Sequence, residues 1–359
     1  MLLNKIKSAA TVTLITLDAA IPTNKKQLLK LGLEPDGWKL ATSKEARPLL
    51  TNFKNTYKKT LEDLMETKEG KLRLGGSVFT TLYKLLEYKP EIKSAAAFVP
   101  LGTGDGLRGK LDSLVDYVNK KQKILTTEIE EFFDKRLKIL ETVSSGLSPV
   151  IISFYQKGKR SMILLRDEQE IRPHGKSVSG LTAPTLFLVD TRELVQKSFK
   201  KAAVSLARRP KTFVVVGLGT ESILEKSIPE LKELLSSAKG EYGFSGNKGE
   251  VDVLVKHWNG ISTAEELVKT ANLRFLLETN GQKGATLYFL NGSKVEKGRY
   301  SIPKKEIYYG DTTNAGDVFL AATLFGLMSK SEKELSAEKL REVLRSASKR
   351  TLTFLRSRT

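Results

Sequence analysis

Cysteine is absent from the 359 residues, which excludes disulfides, thiolate nucleophiles and cysteine-based zinc sites. That absence fits a reducing intracellular compartment, cytoplasmic or organellar, and fits a thermophile equally well. Histidine occurs twice, as His174 and His257, too few for a multi-histidine metal centre. Both lie in polar, loop-like surroundings and are expected to face solvent. No apolar run reaches the roughly 18 to 20 residues that a membrane span needs, so the chain reads as soluble with no membrane partner. The opening MLLNKIKSAATVTLITLDAA lacks the continuous apolar stretch and cleavage site of a secretory signal and reads as a first strand. Acid is scarce: 41 Asp and Glu stand against 60 Lys and Arg, a net charge of +19. The oligomeric state has no signature in the sequence.

The basic excess is uneven. Residues 197–211 (KSFKKAAVSLARRPK) carry six cations and no acid, and residues 345–359 carry five and none. Such runs attract polyanions, nucleic acid among them, although solvated helix faces have the same composition and no RNA-binding aromatic signature accompanies these.

Strand-like and helix-like segments alternate along the chain, the pattern of an α/β fold with a mainly parallel sheet flanked by helices. Residues 11–17 (TVTLITL), 212–218 (TFVVVGL) and 285–290 (ATLYFL) are the clearest strands. Residues 192–209 place Val195, Phe199, Ala202, Ala203 and Leu206 on one helical stripe. Residues 221–237 are also helical, with Pro229 expected at a helix start or break. Residues 126–142 read as a helix whose Phe132 and Phe133 make core contacts, and residues 148–167 as a hairpin about QKGK. With residues 22–42 that hairpin can form a small β lid. The expectation is a single domain over 1–359, its lid drawn from segments near 19–72 and 145–172. VVVGLGTES (214–222) imitates a dinucleotide fingerprint, but its third glycine is replaced by Ser222 and it follows a mid-chain strand.

Chemistry concentrates at GDTTNAGDVF (310–319), where a polar turn opens into an apolar helix. A helix N-terminus presents unpaired N–H groups and positive potential, so Thr313, Asn314, Ala315 and Gly316 make an anion cradle. Asp317 in the same first turn repels a phosphate, unless its carboxylate faces a substrate hydroxyl while the amides face the transferring phosphoryl group. An aspartate near a helix start is otherwise most often a cap.

DTTNAGDVF (311–319) resembles the C-terminal signature of the ribokinase-like (PfkB) carbohydrate kinase family, usually DTxGAGD, with Asn314 at the first glycine. Further resemblances follow the family's order. GGSVFTTLYKLLEY (75–88) is similar to its GG(N/S)xxN motif, GDGLRG (104–109) to GDDxxG, GKRSMI (158–163) to the lid strand, NKGE (247–250) to NxxE and TNGQKGATLY (279–288) to TxGxxG. Residues 28–42 resemble lid-proximal sequence of adenosine-kinase-like and related sugar kinases. The resemblance spans about residues 10 to 350.

It implies a ribokinase-like central sheet with a small β lid, and a kinase that takes ATP and Mg2+ and phosphorylates an alcohol group of a sugar or nucleoside. Asp317 takes the place of the general base, and Asn314, Ala315 and Gly316 that of the anion hole. Asn247 and Glu250 match the pair that organises Mg2+ through water. Thr279, Gly281, Gly284 and Thr312 match nucleotide-contacting positions. Asp311 and Thr313 match a monovalent-cation site of some members, an Asx turn being the other role open to Asp311. Asp18, Gly75, Gly76 and Thr80 fall at acceptor-binding positions.

The departures gather in that last group. Thr80 stands where an asparagine is usual, Gly106 replaces the second aspartate of GDDxxG, and Gly217 to Gly219 replace an aspartate-bearing strand end. Either the acceptor is unusual or catalysis is lost. In the second case the chain is a structural subunit of a nucleic-acid or ribonucleoprotein assembly.

Overall fold

Strands buried on both faces need apolar side chains at every position rather than at alternate ones, and such strands belong to parallel sheets covered twice. Ser8–Val12 and Thr185–Asp190 are buried throughout. The computed structural model describes residues 2–13, 16–33, 38–41, 43–57, 59, 63, 71–102, 112–134, 136–144, 150–156, 159–165, 181, 183–258, 260–310, 312 and 314–357. In chain order the elements are β1 (Ser8–Val12), β2 (Thr16–Pro22), α1 (Lys25–Lys30), β3 (Trp38–Ala41), α2 (Ser43–Tyr57), β4 (Lys71–Gly75), α3 (Ser77–Tyr88) and β5 (Ser94–Gly102). There follow α4 (Asp112–Phe132), β6 (Leu137–Ser144), β7 (Val150–Gln156), β8 (Lys159–Leu165), β9 (Thr185–Asp190), α5 (Thr191–Leu194), α6 (Lys197–Ala207) and β10 (Thr212–Gly217). The remainder is α7 (Glu221–Ser237), β11 (Tyr242–Asn247), α8 (Lys248–His257), α9 (Ala264–Thr270), β12 (Phe275–Thr279), β13 (Ala285–Asn291), β14 (Lys294–Tyr300), α10 (Ala315–Met328) and α11 (Ala337–Arg356).

Among the described residues the strands make a nine-stranded sheet, ordered β14-β13-β12-β11-β10-β9-β1-β5-β6, and a five-stranded sheet, ordered β3-β8-β7-β2-β4. The large sheet is parallel from β6 to β12 and ends in the antiparallel pair β13 and β14. Side-chain alternation divides the core. Leu186, Leu188, Phe213, Val215, Phe275 and Leu277 meet α3, α10 and α11 on one face. Phe187, Val189, Val214, Val216, Phe244 and Leu276 meet α6, α7, α8 and α9 on the other. The rings of Phe213 and Phe275 stack with centroids 6.1 Å apart. Among the described residues no helix is long and apolar enough to cross a membrane.

The second sheet is built from β2, β3, β4 and the antiparallel hairpin β7–β8 expected about QKGK, with β3 parallel to β8. The strand expected at residues 11–17 divides between the two sheets. Thr13 ends β1 by giving its N–H to Phe98 O at 3.1 Å, and β2 starts at Thr16 in the other sheet.

Other elements differ from expectation for local reasons. The single helix expected over 192–209 is two, α5 and α6, and Val195 at the break is 44% exposed rather than part of the stripe. The helix about Pro229 runs unbroken from Glu221 to Ser237. Pro229 is exposed, so the carbonyl left without its N–H partner faces water, and the loss is tolerated. Residues 126–142 do not form one helix: α4 ends at Phe132, Asp134 turns the chain at φ 49°, and β6 pairs in parallel with β5. Only one of its two phenylalanines is core, Phe133 at 1% exposed against Phe132 at 66%. His257 is the half-buried last residue of α8 rather than a solvated loop residue, and His174 lies outside the described residues.

The stacked pair and the exposed ring make a direct contrast. Phe275→Ala should lower the unfolding free energy by about 3–5 kcal/mol in urea titration, while Phe132→Ser should cost less than about 1 kcal/mol. Equal losses would contradict the division of the core.

Candidate active site

In an open parallel sheet a crevice forms where neighbouring strands send their connections to opposite sides, at the carboxyl ends of those strands. Here β1 lies between β5 and β9, so the chain builds outward in both directions from this point. The residues leaving β1 and β9 meet across it. Thr13 Oγ1 donates to Glu193 Oε1 at 3.1 Å. Asp190, 2% exposed, caps α5 by accepting from the Arg192 N–H at 2.9 Å. Its two oxygens also take the Arg192 guanidinium in a fork, Nε and Nη2 each at 2.8 Å. The Arg192 side chain stays 43% exposed, so a clamped cation is presented to the crevice.

The next strand end makes room for this pair. A Cβ at Gly217 would lie 3.1 Å from Asp190 Oδ2. At Gly219, where φ is +71°, it would lie 2.8 Å from Thr191 Oγ1 and 3.3 Å from Arg192 Cγ. The glycines that replace an aspartate-bearing strand end are thus the space into which Asp190 and Arg192 pack.

One strand further on, Asn247 and Glu250 form a reciprocal capping box on α8. Asn247 N donates to Glu250 Oε2 at 2.8 Å, Asn247 Nδ2 to Glu250 Oε1 at 2.6 Å, and Glu250 N to Asn247 Oδ1 at 3.0 Å. Glu221 closes in beside them: a Cβ on Gly249 would lie 2.0 Å from its Oε1.

The site therefore holds Asp190 and Glu193 close to Arg192, with Glu250 in its field and Glu221 beside Glu250. Burial pushes the Glu250 carboxyl up to about 7, with Asp190 and Glu221 adding to the rise and the Asn247 N–H and Arg192 opposing it. Burial, then Asp190, pushes Glu193 up to about 8 against the pull of Arg192 and Thr13. The second Glu193 oxygen is buried with no hydrogen-bond partner. Asp190 above all, with Glu193 and Asp317, holds the arginine charged more firmly than usual.

On the other face, the N-termini of α3 and α10 are packed together. The Ser77 hydroxyl donates to the Asp317 carboxylate. Thr81 Oγ1 donates to Ser77 O at 3.2 Å and Asp317 O at 3.3 Å. Asn314, the N-cap of α10, adopts a left-handed conformation at φ 62° and contributes no side-chain cap. Asparagine is among the few non-glycine residues that enter this region readily, which explains its use at a glycine position. Ala315 N closes the turn on Thr312 O at 3.0 Å. Gly316 is exposed, and a Cβ there would meet nothing within 4 Å, so the start of the helix borders open space. Asp317 is half-buried beside it.

The other expected positions are more scattered. Thr279 ends β12, with Oγ1 3.3 Å from Gly246 O, and leads into a tight turn where Gly281 has φ +49° and open space around it. Gly284, at φ +107°, passes so close to Tyr300 O that a Cβ would sit 2.0 Å away. Thr312 is exposed. Gly76 (φ 104°) caps α3, and Thr80, 6% exposed, donates its N–H to Gly76 O at 2.8 Å. Asp18 lies in β2 opposite Arg73 of β4, two positions from the Thr16–Gly75 pair. Asp311, Thr313 and Gly106 lie outside the described residues.

Sequence reasoning missed Asp190, Arg192, Glu193 and Ser77. An aspartate closing the apolar run TLFLVD, with arginine two residues on, was the available signal.

The raised carboxyls set a pH response. Below the ordinary carboxylate value of 4.5, Glu193 is neutral in both folded and unfolded chains. Between 4.5 and about 8 the unfolded chain releases its proton and the folded chain keeps it, so rising pH favours unfolding. Glu193→Gln keeps an acceptor for Thr13 and removes this term. Calorimetry should find the variant gaining on the wild type between pH 5 and pH 9; an offset unchanged across that range would refute the assignment.

No family model and no curated protein matches the sequence. Solved structures do match. The adenosine kinase of Schistosoma mansoni in complex with tubercidin superposes with a TM-score of 0.67 at 14% identity, over 97% of this chain and 94% of that one. The adenosine kinase of Sinorhizobium meliloti gives 0.65 at 16% identity, over 98% and 99%. A probable sugar kinase from Rhizobium etli CFN 42 gives 0.64 at 16% identity, over 96% and 91%. With the parallel sheet flanked by helices on both faces, these likenesses show that the chain has the ribokinase-like α/β fold.

Proposed function

We propose that the chain is an ATP-dependent phosphotransferase acting on an alcohol group of a sugar or nucleoside, with Asp317 as general base. The observation that carries this reading is the placement of the Asp317 carboxylate. It is held by the Ser77 hydroxyl in the first turn of α10, beside the open space at Gly316 and within the field of Arg192. Fold likeness to adenosine kinases and a probable sugar kinase over nearly the whole chain supports the same class.

In this reading Asp317 accepts the acceptor's hydroxyl proton as its oxygen bonds to the terminal phosphorus of ATP. The bond to the bridging oxygen breaks and ADP leaves. The amides of Asn314 and Gly316 steady the charge on the transferring group, that of Ala315 being taken by Thr312 O, and Arg192 neutralises it from across the crevice. Thr279, Gly281, Gly284 and Thr312 border the nucleotide, and Asp18, Gly75, Gly76 and Thr80 the acceptor. Thr80 offers a single hydroxyl where an amide would offer a donor and an acceptor together, which favours an acceptor with different hydroxyl spacing. The five-stranded sheet serves as lid to a single catalytic domain.

Mg2+ fits the charge of the site better than it fits direct ligation. Both Glu250 oxygens are engaged by Asn247, and among the described residues no group of three metal-ligating side chains converges. The raised carboxyls of Glu193 and Glu250 beside Asp190 nevertheless mark a place where added positive charge is favourable. Asn247 and Glu250 would hold Mg2+ through its waters, where it neutralises phosphate charge.

The test is ATP turnover across a panel of sugars and nucleosides. Asp317→Asn should lower kcat about 10²- to 10⁴-fold with the fold intact. Arg192→Ala should lower it about 10²-fold. If wild type and Asp317→Asn are folded and equally inactive on every acceptor, the proposal fails.

A further inference from the structure

We propose that the outer face of α6, on the side of the sheet carrying α7, α8 and α9, binds the sugar-phosphate backbone of a nucleic acid. From Lys197 to Lys211 the chain has six cations and no acid. Their arrangement opposes the stability of the helix that bears them. Lys197 and Lys200 occupy its first turn, where the helix dipole is positive, no acidic residue is present and Gln196 supplies no side-chain cap. Lys197 also faces Lys200 and Lys201 at the i+3 and i+4 spacings, where like charges repel. A charge pattern that weakens its own helix at two levels is accounted for by an external anion.

The surface has a matching shape. A depression of about 360 Å³ is lined by Lys200, Lys201, Val204, Ser205, Arg208 and Glu233. Glu233 is taken by Lys200 at 2.8 Å. Lys197, Lys201, Arg208 and Lys211 form no ion pair among the described residues. Lys197 to Arg208 spans about 16 Å of helix axis, a length along which several successive phosphates can be met. Val204, the one apolar lining residue, is 7% exposed, so the depression offers no anchor for a bilayer or for a protein hot spot.

The second basic segment makes a natural contrast. Its cations in α11 lie on the opposite face of the sheet and are more engaged. The Arg350 guanidinium sits 4.7 Å from the ring centres of both Tyr88 and Phe325, and Arg356 is also engaged. The two segments cannot act as one stripe, and it is the cations of α6 that line a depression.

Fluorescence anisotropy of the full chain with labelled oligouridylate and oligothymidylate of about 20 nucleotides, between about 50 and 200 mM KCl, tests this. Four phosphate contacts predict a slope of log K against log salt near −3, with similar affinity for the two oligomers. Lys201→Glu with Arg208→Glu should weaken binding at least tenfold and flatten the slope by about 1.4. Lys201→Gln with Arg208→Gln should act in the same direction, and circular dichroism checks that both remain folded. Arg345→Glu with Lys349→Glu changes net charge equally and should cost less than about threefold, because screened charges on the far face contribute little. No binding at low salt, equal losses from the α6 and α11 reversals, or displacement by polyglutamate as effective per charge as by oligouridylate would each overturn the proposal.

Discussion

The bidentate pairing of Asp190 with Arg192 is the constraint around which the carboxyl edge of the large sheet is arranged. A buried carboxylate without a partner costs several kcal/mol, and a fork of two 2.8 Å bonds meets that cost at Asp190 while leaving the guanidinium partly in water. The pair consumes space as well as charge. Gly217 and Gly219 leave it room on β10, and a tightly capped α5 of four residues holds both partners in one turn.

Charge balance then propagates outward. Arg192 is forked onto Asp190 and cannot also satisfy Glu193 and Glu250, and the carboxyls of these two buried glutamates are pushed up, to about 8 and about 7. Asn247 absorbs part of the excess by donating twice to Glu250, so the capping of α8 and the electrostatics of the crevice are one set of bonds.

The elements legible in the sequence were those whose local pattern and tertiary environment agree. TFVVVGL and ATLYFL are strands wherever they are placed, and the stripe from Phe199 to Leu206 is buried as its spacing requires. Failures arose where tertiary packing overrode local pattern. Pro229 is accommodated because it happens to face water, and residues 137–144 become a strand because β5 offers a free parallel edge. At the site, the order of weak motifs named Asp317, Asn314 and the Asn247–Glu250 pair as candidates, and the structure sets Asp317 against Ser77 and joins Asn247 to Glu250 in a capping box. Asp190 and Arg192 were hidden because RELVQKSFKK reads as the start of an amphipathic helix. Nothing in sequence spacing reports that an arginine turns back on the residue two before it.

The left-handed Asn314 reconciles two opposed demands at the start of α10. Amides aimed at an anion and a carboxylate in the same turn would compete if both faced one way. A residue at φ 62° immediately before the helix redirects the chain. Ala315 N then closes on Thr312 O, and the carboxylate of Asp317 is turned to the hydroxyl of Ser77 on α3. Contact between two helix N-termini also brings their positive ends together at the Asp317 carboxylate. The packing of α3 against α10 thus fixes the direction of that carboxylate through a side chain that carries no charge, as the proposed role of Asp317 requires.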